Sequence, residues 1–378
     1  METMHVVVLG AGYAGLTVTR RLERSLPADV ELTLVDEDDY HLVQHELHRL
    51  VRFPDLEAVI TVPLEDVVDR ATVVTDRVAS VDTDAGVVEL ASGGTLGYDY
   101  AAVCLGAETA FYDLPGVEAH ATPLKRVDHA HRIRTAFLEN EGGRVVVGGA
   151  GLSGVQVAGE LAAVADEEGF DAEIILLERF DSVAPGFAPA FQTAIHEELE
   201  TRDVTVWTET AVTGADADAV DLESGERLAY DQFVWTGGIA GPEGLGGDRP
   251  ATRADLRGEN GTFLVGDAAR VVDGDGEAVP ATAQAAISEA KVAARNITRL
   301  VVHDREDDGG FTPRLDRLTF DPRGWTVSVG DGAVAQVGPT VLRGSAARAA
   351  KASVGAAHLS SVGAVRNASE LVREELDV

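Results

Sequence analysis

Short apolar runs that enter a glycine-rich turn and leave it on a helical pattern recur along this chain. His5-Val6-Val7-Val8-Leu9 is long enough for one buried parallel strand. It runs into Gly10-Ala11-Gly12-Tyr13-Ala14-Gly15. Apolar positions at Leu16, Val18, Leu22 and Leu26 then predict a helix, and Val30 to Val35 a second strand that ends on Asp36. The unit returns later. Arg144 to Gly148 predicts a strand, Gly149-Ala150-Gly151-Leu152-Ser153-Gly154 a turn, Val155 to about Val164 a helix, and Ala172 to Leu177 a strand ending on Glu178. Between the units, Val59 to Val81 alternates short helix with β-rich sequence. Gly86 to Leu90 and Gly97 to Leu105 read as strands around a turn at Ser92-Gly93-Gly94, the second of them ending on Gly106. Leu114-Pro115-Gly116 predicts a linker and Val127 to Leu138 a helix.

Beyond the second unit the pattern predicts a helix near Pro189 to Thr201 and strands from Val204 to Trp235. The exit Trp235-Thr236-Gly237-Gly238 mirrors the one at Gly106. Thr262 to Gly266 is a further strand ending on Asp267, with Ala268 expected to start a helix. Pro280-Ala281-Thr282-Ala283-Gln284 opens an alanine-rich helix to about Val302, and Asp304 to Gly310 predicts a linker. The tail from Phe311 holds a small β-rich piece and helices near Ala346 to Leu376.

The turns carry the chemistry. Each is a G-x-G-x-x-G loop between strand and helix, with an acid at the end of the following strand. In the first, Gly10 allows the tight turn, Gly12 lets backbone approach a pyrophosphate, and Gly15 lets the helix pack on the strand. The helix N-terminus, at Tyr13 and Ala14, offers free N–H groups and positive dipole. Asp36, 21 residues beyond Gly15, is placed to accept from ribose hydroxyls, as is Glu178, 24 residues beyond Gly154. Two nucleotides, one per loop, is the natural reading of Gly10–Gly15 and Gly149–Gly154; an internal duplication with one working site is the alternative. Asp267 can accept from sugar-alcohol hydroxyls. The fold expected is α/β, two Rossmann-like dinucleotide-binding domains with a small C-terminal α+β region. The expected parts are residues 1–112 and 236–310 as one domain, 113–235 as the second, and 311–378 as the tail.

Composition changes the picture in two ways. The chain has 378 residues with 31 basic and 64 acidic side chains, a formal charge of −33. Lysine occurs only as Lys125, Lys291 and Lys351. Such a surface repels nucleic acid and anionic headgroups, and it suits concentrated salt, where screening removes self-repulsion, as in a halophilic archaeal cytoplasm. A single cysteine, Cys104, excludes a redox pair and reads as a small buried residue. Met1 to His5 lacks signal-peptide character. Val145 to Val164 holds five glycines, Gln156 and Glu160, and so reads as strand, turn and helix rather than a span. A cytoplasmic protein, at most peripheral on the inner membrane face, is expected, and a homodimer is compatible with it. His41, His45 and His48 share a face if their segment is helical, but no second ligand cluster supports a metal there.

Together these segments resemble the type II NADH dehydrogenases (NADH:quinone oxidoreductases), FAD-dependent flavoproteins with two dinucleotide-binding domains. The resemblance covers nearly the whole chain. It rests on both loops, Gly266-Asp267, Tyr40-His41-Leu42-Val43-Gln44 and Pro280-Ala281-Thr282-Ala283-Gln284. It implies FAD on the first loop, with Gln44 and Gly106 near the flavin, and Asp267 on the ribityl chain. It implies NADH as co-substrate on the second loop near Gly238, and a quinone beside Ala283 and Gln284. The departures are specific. Gln156 stands where the family has a glutamate, Ser288 where a second glutamine is common, and His45 where proline is usual. Ala357 to Gly363 resembles the family's membrane-contact segment without its aromatic residues. Lys351 matches a flavin-proximal lysine of some members. Sulfide:quinone oxidoreductases share the fold but carry sulfur on cysteines, and disulfide reductases need a cysteine pair. A ferredoxin- or rubredoxin-type reductase, disfavoured by the acidic surface, and a flavin-holding redox sensor with little turnover are the alternatives.

Overall fold

The computed structural model describes residues 4–306 and 311–376. Along the first half run β1 (His5–Leu9), α1 (Tyr13–Ser25), β2 (Glu31–Asp36), β3 (Thr72–Thr75), β4 (Tyr100–Val103) and α2 (Val127–Glu139). The second unit is β5 (Arg144–Gly148), α3 (Leu152–Glu168), β6 (Glu173–Leu177), α4 (Pro189–Glu200), β7 (Val204–Trp207) and β8 (Gln232–Trp235). Then come β9 (Thr262–Leu264) and α5 (Ala283–Glu306). The tail forms β10 (Trp325–Val329), β11 (Gly332–Val337), β12 (Thr340–Arg343), α6 (Gly344–Val362) and α7 (Val365–Leu376).

Two parallel sheets organise the molecule. The first has the order β9-β4-β1-β2-β3 and the second Thr122–Pro123, β8, β5, β6, β7. In each, the loop-bearing strand is central and enclosed on both sides, which explains the uninterrupted Val and Leu of β1 and β5. β9 lies beside β4 although the whole second sheet separates them in sequence. The antiparallel pairing of Glu108–Thr109 with Ile239–Ala240 joins the two crossings between the sheets. A sequence far along the chain thereby completes the first sheet, as its strand-to-glycine exits suggested.

Several boundaries move. α3 begins at Leu152, three residues before the expected Val155, because Gly151 is its N-cap and the loop itself supplies the first turn. Gly266 to Ala268 makes a single 3₁₀ turn, so Ala268 does not start a longer helix. α5 extends through Glu306, taking Asp304 out of the expected linker; residues 307–310, like Met1 to Thr3, lie outside the described residues. His41 sits on a short strand, Tyr40–Leu42, whereas His45 and His48 sit on the 3₁₀ helix Gln44–Val51, so the three share no helical face. The tail packs back on the body: Leu359 and Val362 of α6 and Leu371 of α7 enter the core shared with α2, α3 and α4. Among the described residues no helix is long and apolar enough to cross a membrane.

Candidate functional site

The two glycine loops are held by the same contacts. Gly10 N–H donates to Val35 O at 2.7 Å and Gly149 N–H to Leu177 O at 2.8 Å. Gly10 and Gly149 have φ of +95° and +96°, and a Cβ on Gly10 would lie 2.4 Å from the Cys104 carbonyl oxygen. On Gly15 it would lie 1.7 Å from the Gly10 carbonyl oxygen, and on Gly154 1.9 Å from that of Gly149. Gly12 and Gly151 have nothing within 4 Å in that direction, which leaves the approach to the backbone open. α1 and α3 start immediately after them and point their free N–H groups there.

The acids are anchored alike. Asp36 Oδ2 accepts from Ala11 N–H, and its Oδ1 from Asp38 N–H at 2.9 Å. Glu178 Oε2 accepts from Ala150 N–H at 2.9 Å, and its Oε1 from Phe180 N–H at 3.0 Å. The sequence placed these acids at the right distance; the structure ties each to its own loop. Burial pushes the Asp36 carboxyl up to about 6, against the hydrogen bonds that favour its ionised form. The Arg179 guanidinium lies over the exposed Phe180 ring, 4.5 Å from its centre.

The first loop opens into a cavity of about 350 Å³ whose wall includes Gly10, Gly12, Tyr13, Asp36, Gln44 and Gly106. Lys125 and Arg126 also line it, and the sequence reading missed both. Their signal was rarity, since Lys125 is one of three lysines in a strongly acidic chain. Burial lowers the Lys125 ammonium, opposed by Asp267 and Glu108. Arg126 reaches Glu37 at 2.5 Å and Glu108 at 3.2 Å. Asp267 is raised by burial, with Lys125 and Arg249 opposing.

Ala14 and Gly266 act by being small: a Cβ on Gly266 would lie 3.2 Å from Ala14 Cβ and 3.4 Å from Ala286 Cβ. Gly266 N–H donates to Glu289 Oε2 at 2.6 Å, and burial raises Glu289 to about 7. That acid, too, was missed. Gly238 packs against the Tyr112 hydroxyl, and Thr236 Oγ1 donates to Gly149 O at 2.8 Å, tying this exit to the second loop.

The four candidate catalytic residues lie away from the cavity wall. Ala283 begins α5 and Gln284 follows it; Gln284 Oε1 accepts from Arg323 N–H at 3.2 Å, which leaves its NH₂ group to donate. Gln156 projects from the first turns of α3 to within 3.4 Å of His48 Nε2. Lys351 is buried, with its ammonium between Glu46 Oε2 at 2.7 Å and Glu375 Oε2 at 3.2 Å. Glu46 adjoins His45, whose Nδ1 meets the Tyr13 hydroxyl, so Lys351 connects to the cavity wall through this chain of side chains.

Cys104 is buried at the end of β4, and burial raises its thiol strongly, which makes it a poor nucleophile. Among the described residues no group of three or more histidine, cysteine, aspartate or glutamate side chains is arranged to hold a metal ion.

Type II NADH:quinone oxidoreductase from Staphylococcus epidermidis is 27% identical over 348 residues, covering 82% of this chain and 85% of that protein. NDH2 from Plasmodium falciparum in complex with NADH shares the fold, with a TM-score of 0.84 over 100% of this chain and 98% of that one at 14% identity. The sulfide:quinone oxidoreductase of Aquifex aeolicus has a TM-score of 0.78 at 19% identity, covering 97% and 92%. The pyridine nucleotide-disulphide oxidoreductase pattern matches residues 4–290. With two loop-and-acid units inside that span, the chain belongs to the pyridine nucleotide-disulphide oxidoreductase family.

Proposed function

We propose that this chain is an FAD-dependent NADH:quinone oxidoreductase. Residues 1–112 and 236–310 bind the flavin, 113–235 bind NADH, and 311–378 shape the acceptor side. The observation that carries the reading is the pair of loops, each tied to its own acid by one loop amide, with the acid's other oxygen taking the amide two residues further on. Relatives named type II NADH:quinone oxidoreductase support the choice of donor and acceptor.

The residues present fit FAD at the first loop. Gly12 leaves room for a pyrophosphate, the α1 N-terminus and Lys125 and Arg126 supply positive charge, and Asp36 takes ribose hydroxyls. Asp267 serves the ribityl chain, while Gln44 and Gly106 complete the wall. When bound, FAD supplies the two-electron carrier between donor and acceptor. Gly149, Gly151 and Gly154 take the NADH pyrophosphate, and the Glu178 carboxylate takes the ribose hydroxyls and repels a 2′-phosphate. A quinone needs an apolar slot and one or two hydrogen bonds to its carbonyl oxygens. Ala283 gives close approach and the Gln284 NH₂ group gives the donor. The protein works in the cytoplasm, with at most peripheral contact at the inner membrane face.

Anaerobic addition of NADH to the purified protein in high salt tests the reading. Bleaching of bound flavin, followed by its return on adding a soluble quinone analogue, is the expected result. Flavin that ignores quinone but reacts with a protein iron–sulfur carrier would replace the acceptor assignment.

A further inference from the structure

Gln156 removes a carboxylate from the start of α3, yet an acid stands one helical turn further on. Glu160 is 2% exposed, and its Oε2 has no hydrogen-bond partner. Among the described residues His48 is the one basic side chain within 4 Å of its carboxyl, with Nε2 3.8 Å from Oε1. His48 is equally buried. Its Nε2 also meets Ser328 Oγ of β10 at 2.6 Å and the Gln156 amide at 3.4 Å. The Gln156 amide nitrogen can only donate, so its approach makes His48 Nε2 the acceptor.

Charge counting locates the proton. From the 3₁₀ helix, Glu46 and Arg49 face this interior; from α6 comes Lys351, and from α7 comes Glu375. Lys351 pairs with Glu46 and Glu375, and Arg49 Nη1 with Glu375 at 2.9 Å. Arg52 is engaged by Glu167 and Asp331, each at 2.6 Å. Two cations already balance two anions in the buried set, and a third carboxylate would be a buried charge without a partner. His45, beside Glu46, is neutral by the same packing.

We propose that Glu160 is protonated at rest and stores the exchangeable proton of this site, sharing it with His48 in place of a carboxylate at position 156. In the shared step the Glu160 O–H bond breaks and an N–H bond forms at His48 Nε2, leaving a carboxylate facing an imidazolium. The inference rests on the proposed NADH:quinone reading in one respect. NADH gives up two electrons as hydride, the quinone takes two, and forming the quinol consumes one further proton from solution. A buried group that releases and regains one proton suits that demand. Glu160 acts through His48, so it is a positioning residue. Burial also raises Glu160 to about 8 and lowers His48, and both directions keep the proton on the carboxyl.

Isotope-edited infrared spectroscopy of the flavin-loaded protein, with glutamate labelled, tests the storage directly. A protonated-carboxyl band lost as pH rises through about 8 is expected beside the one that Glu289 gives near 7, and it is that band which is expected to be absent in Glu160→Gln. In stopped flow, Glu160→Gln is expected to leave reduction of flavin by NADH unchanged, to slow its reoxidation by a soluble quinone roughly tenfold, and to abolish the pH inflection of that step. Glu160→Asp is expected to restore an inflection. A wild-type protein without the band, or a Glu160→Gln profile with the inflection intact, overturns the proposal. If Glu160→Gln fails to fold, the wild-type titration still decides. Flavin that NADH cannot reduce would instead defeat the proposed function, and the infrared result would stand apart from it.

Discussion

The two glycine loops are nearly the same object in different surroundings. In both, two glycines have no room for a side chain, one faces open space, and an acid ties the loop to the end of the next strand. The surroundings decide what each holds. The first loop packs on the end of β4 and opens into a cavity with Lys125 and Arg126 in its wall. The second carries its acid almost fully buried, Glu178 at 5% exposure, and sends Gln156 inward toward His48. In the proposed function one motif serves a resident group on one side and an exchanging one on the other. The difference is made by the residues that later parts of the chain bring to each loop.

The largest expected effect breaks the symmetry by crowding. Gly15→Val puts atoms into the Gly10 carbonyl and is expected to give protein without flavin, or no folded protein, read by flavin absorbance per chain. Gly154→Ala, in the same place on the second loop, is expected to leave flavin bound and to raise the KM for NADH tenfold or more, about 1.4 kcal/mol at the least. Loss of flavin from Gly154→Ala would show that the loops are exchanged.

Charge sharpens the comparison next. Glu178→Ala is expected to narrow the preference for NADH over NADPH by roughly tenfold to a hundredfold without releasing flavin. Comparable wild-type efficiency with both donors, with Arg179 turned from Phe180 to a phosphate, would defeat that assignment. Gln284→Leu is expected to leave reduction by NADH alone and slow reoxidation by quinone about tenfold. If both steps slowed together, Gln284 would be holding the flavin.

The smallest effects follow from pH and salt. Asp36 is raised to about 6, so the folded state holds its proton more tightly than the unfolded chain does. That contribution to stability is fully present below the ordinary carboxylate value and is lost as pH rises through about 6. Flavin affinity is expected to run the other way, rising as Asp36 ionises, and Asp36→Asn is expected to flatten it in a titration of the flavin-free protein. With a charge of −33, unfolding followed across a salt series is expected to show greater stability in molar salt than in dilute buffer. Equal stability in both would give the acidic surface another purpose.

The sequence by itself determined the two strand–loop–helix units, their acids, the glycine exits and the α/β class. All of these are local patterns whose chemistry is legible within a few dozen residues. It placed the start of α3 late, because a glycine N-cap looks like loop until the helix is built around it. It offered Lys351 without its partners, because side-chain type does not reveal that Glu46, some 300 residues earlier, holds its ammonium. Arg126, Glu160 and Glu289 were invisible as site residues for the same physical reason, and Lys125 stood out by its rarity alone. Their roles come from long-range packing, which sets who lines a cavity, who loses solvent and which charges already have partners. Only the tertiary structure decides that.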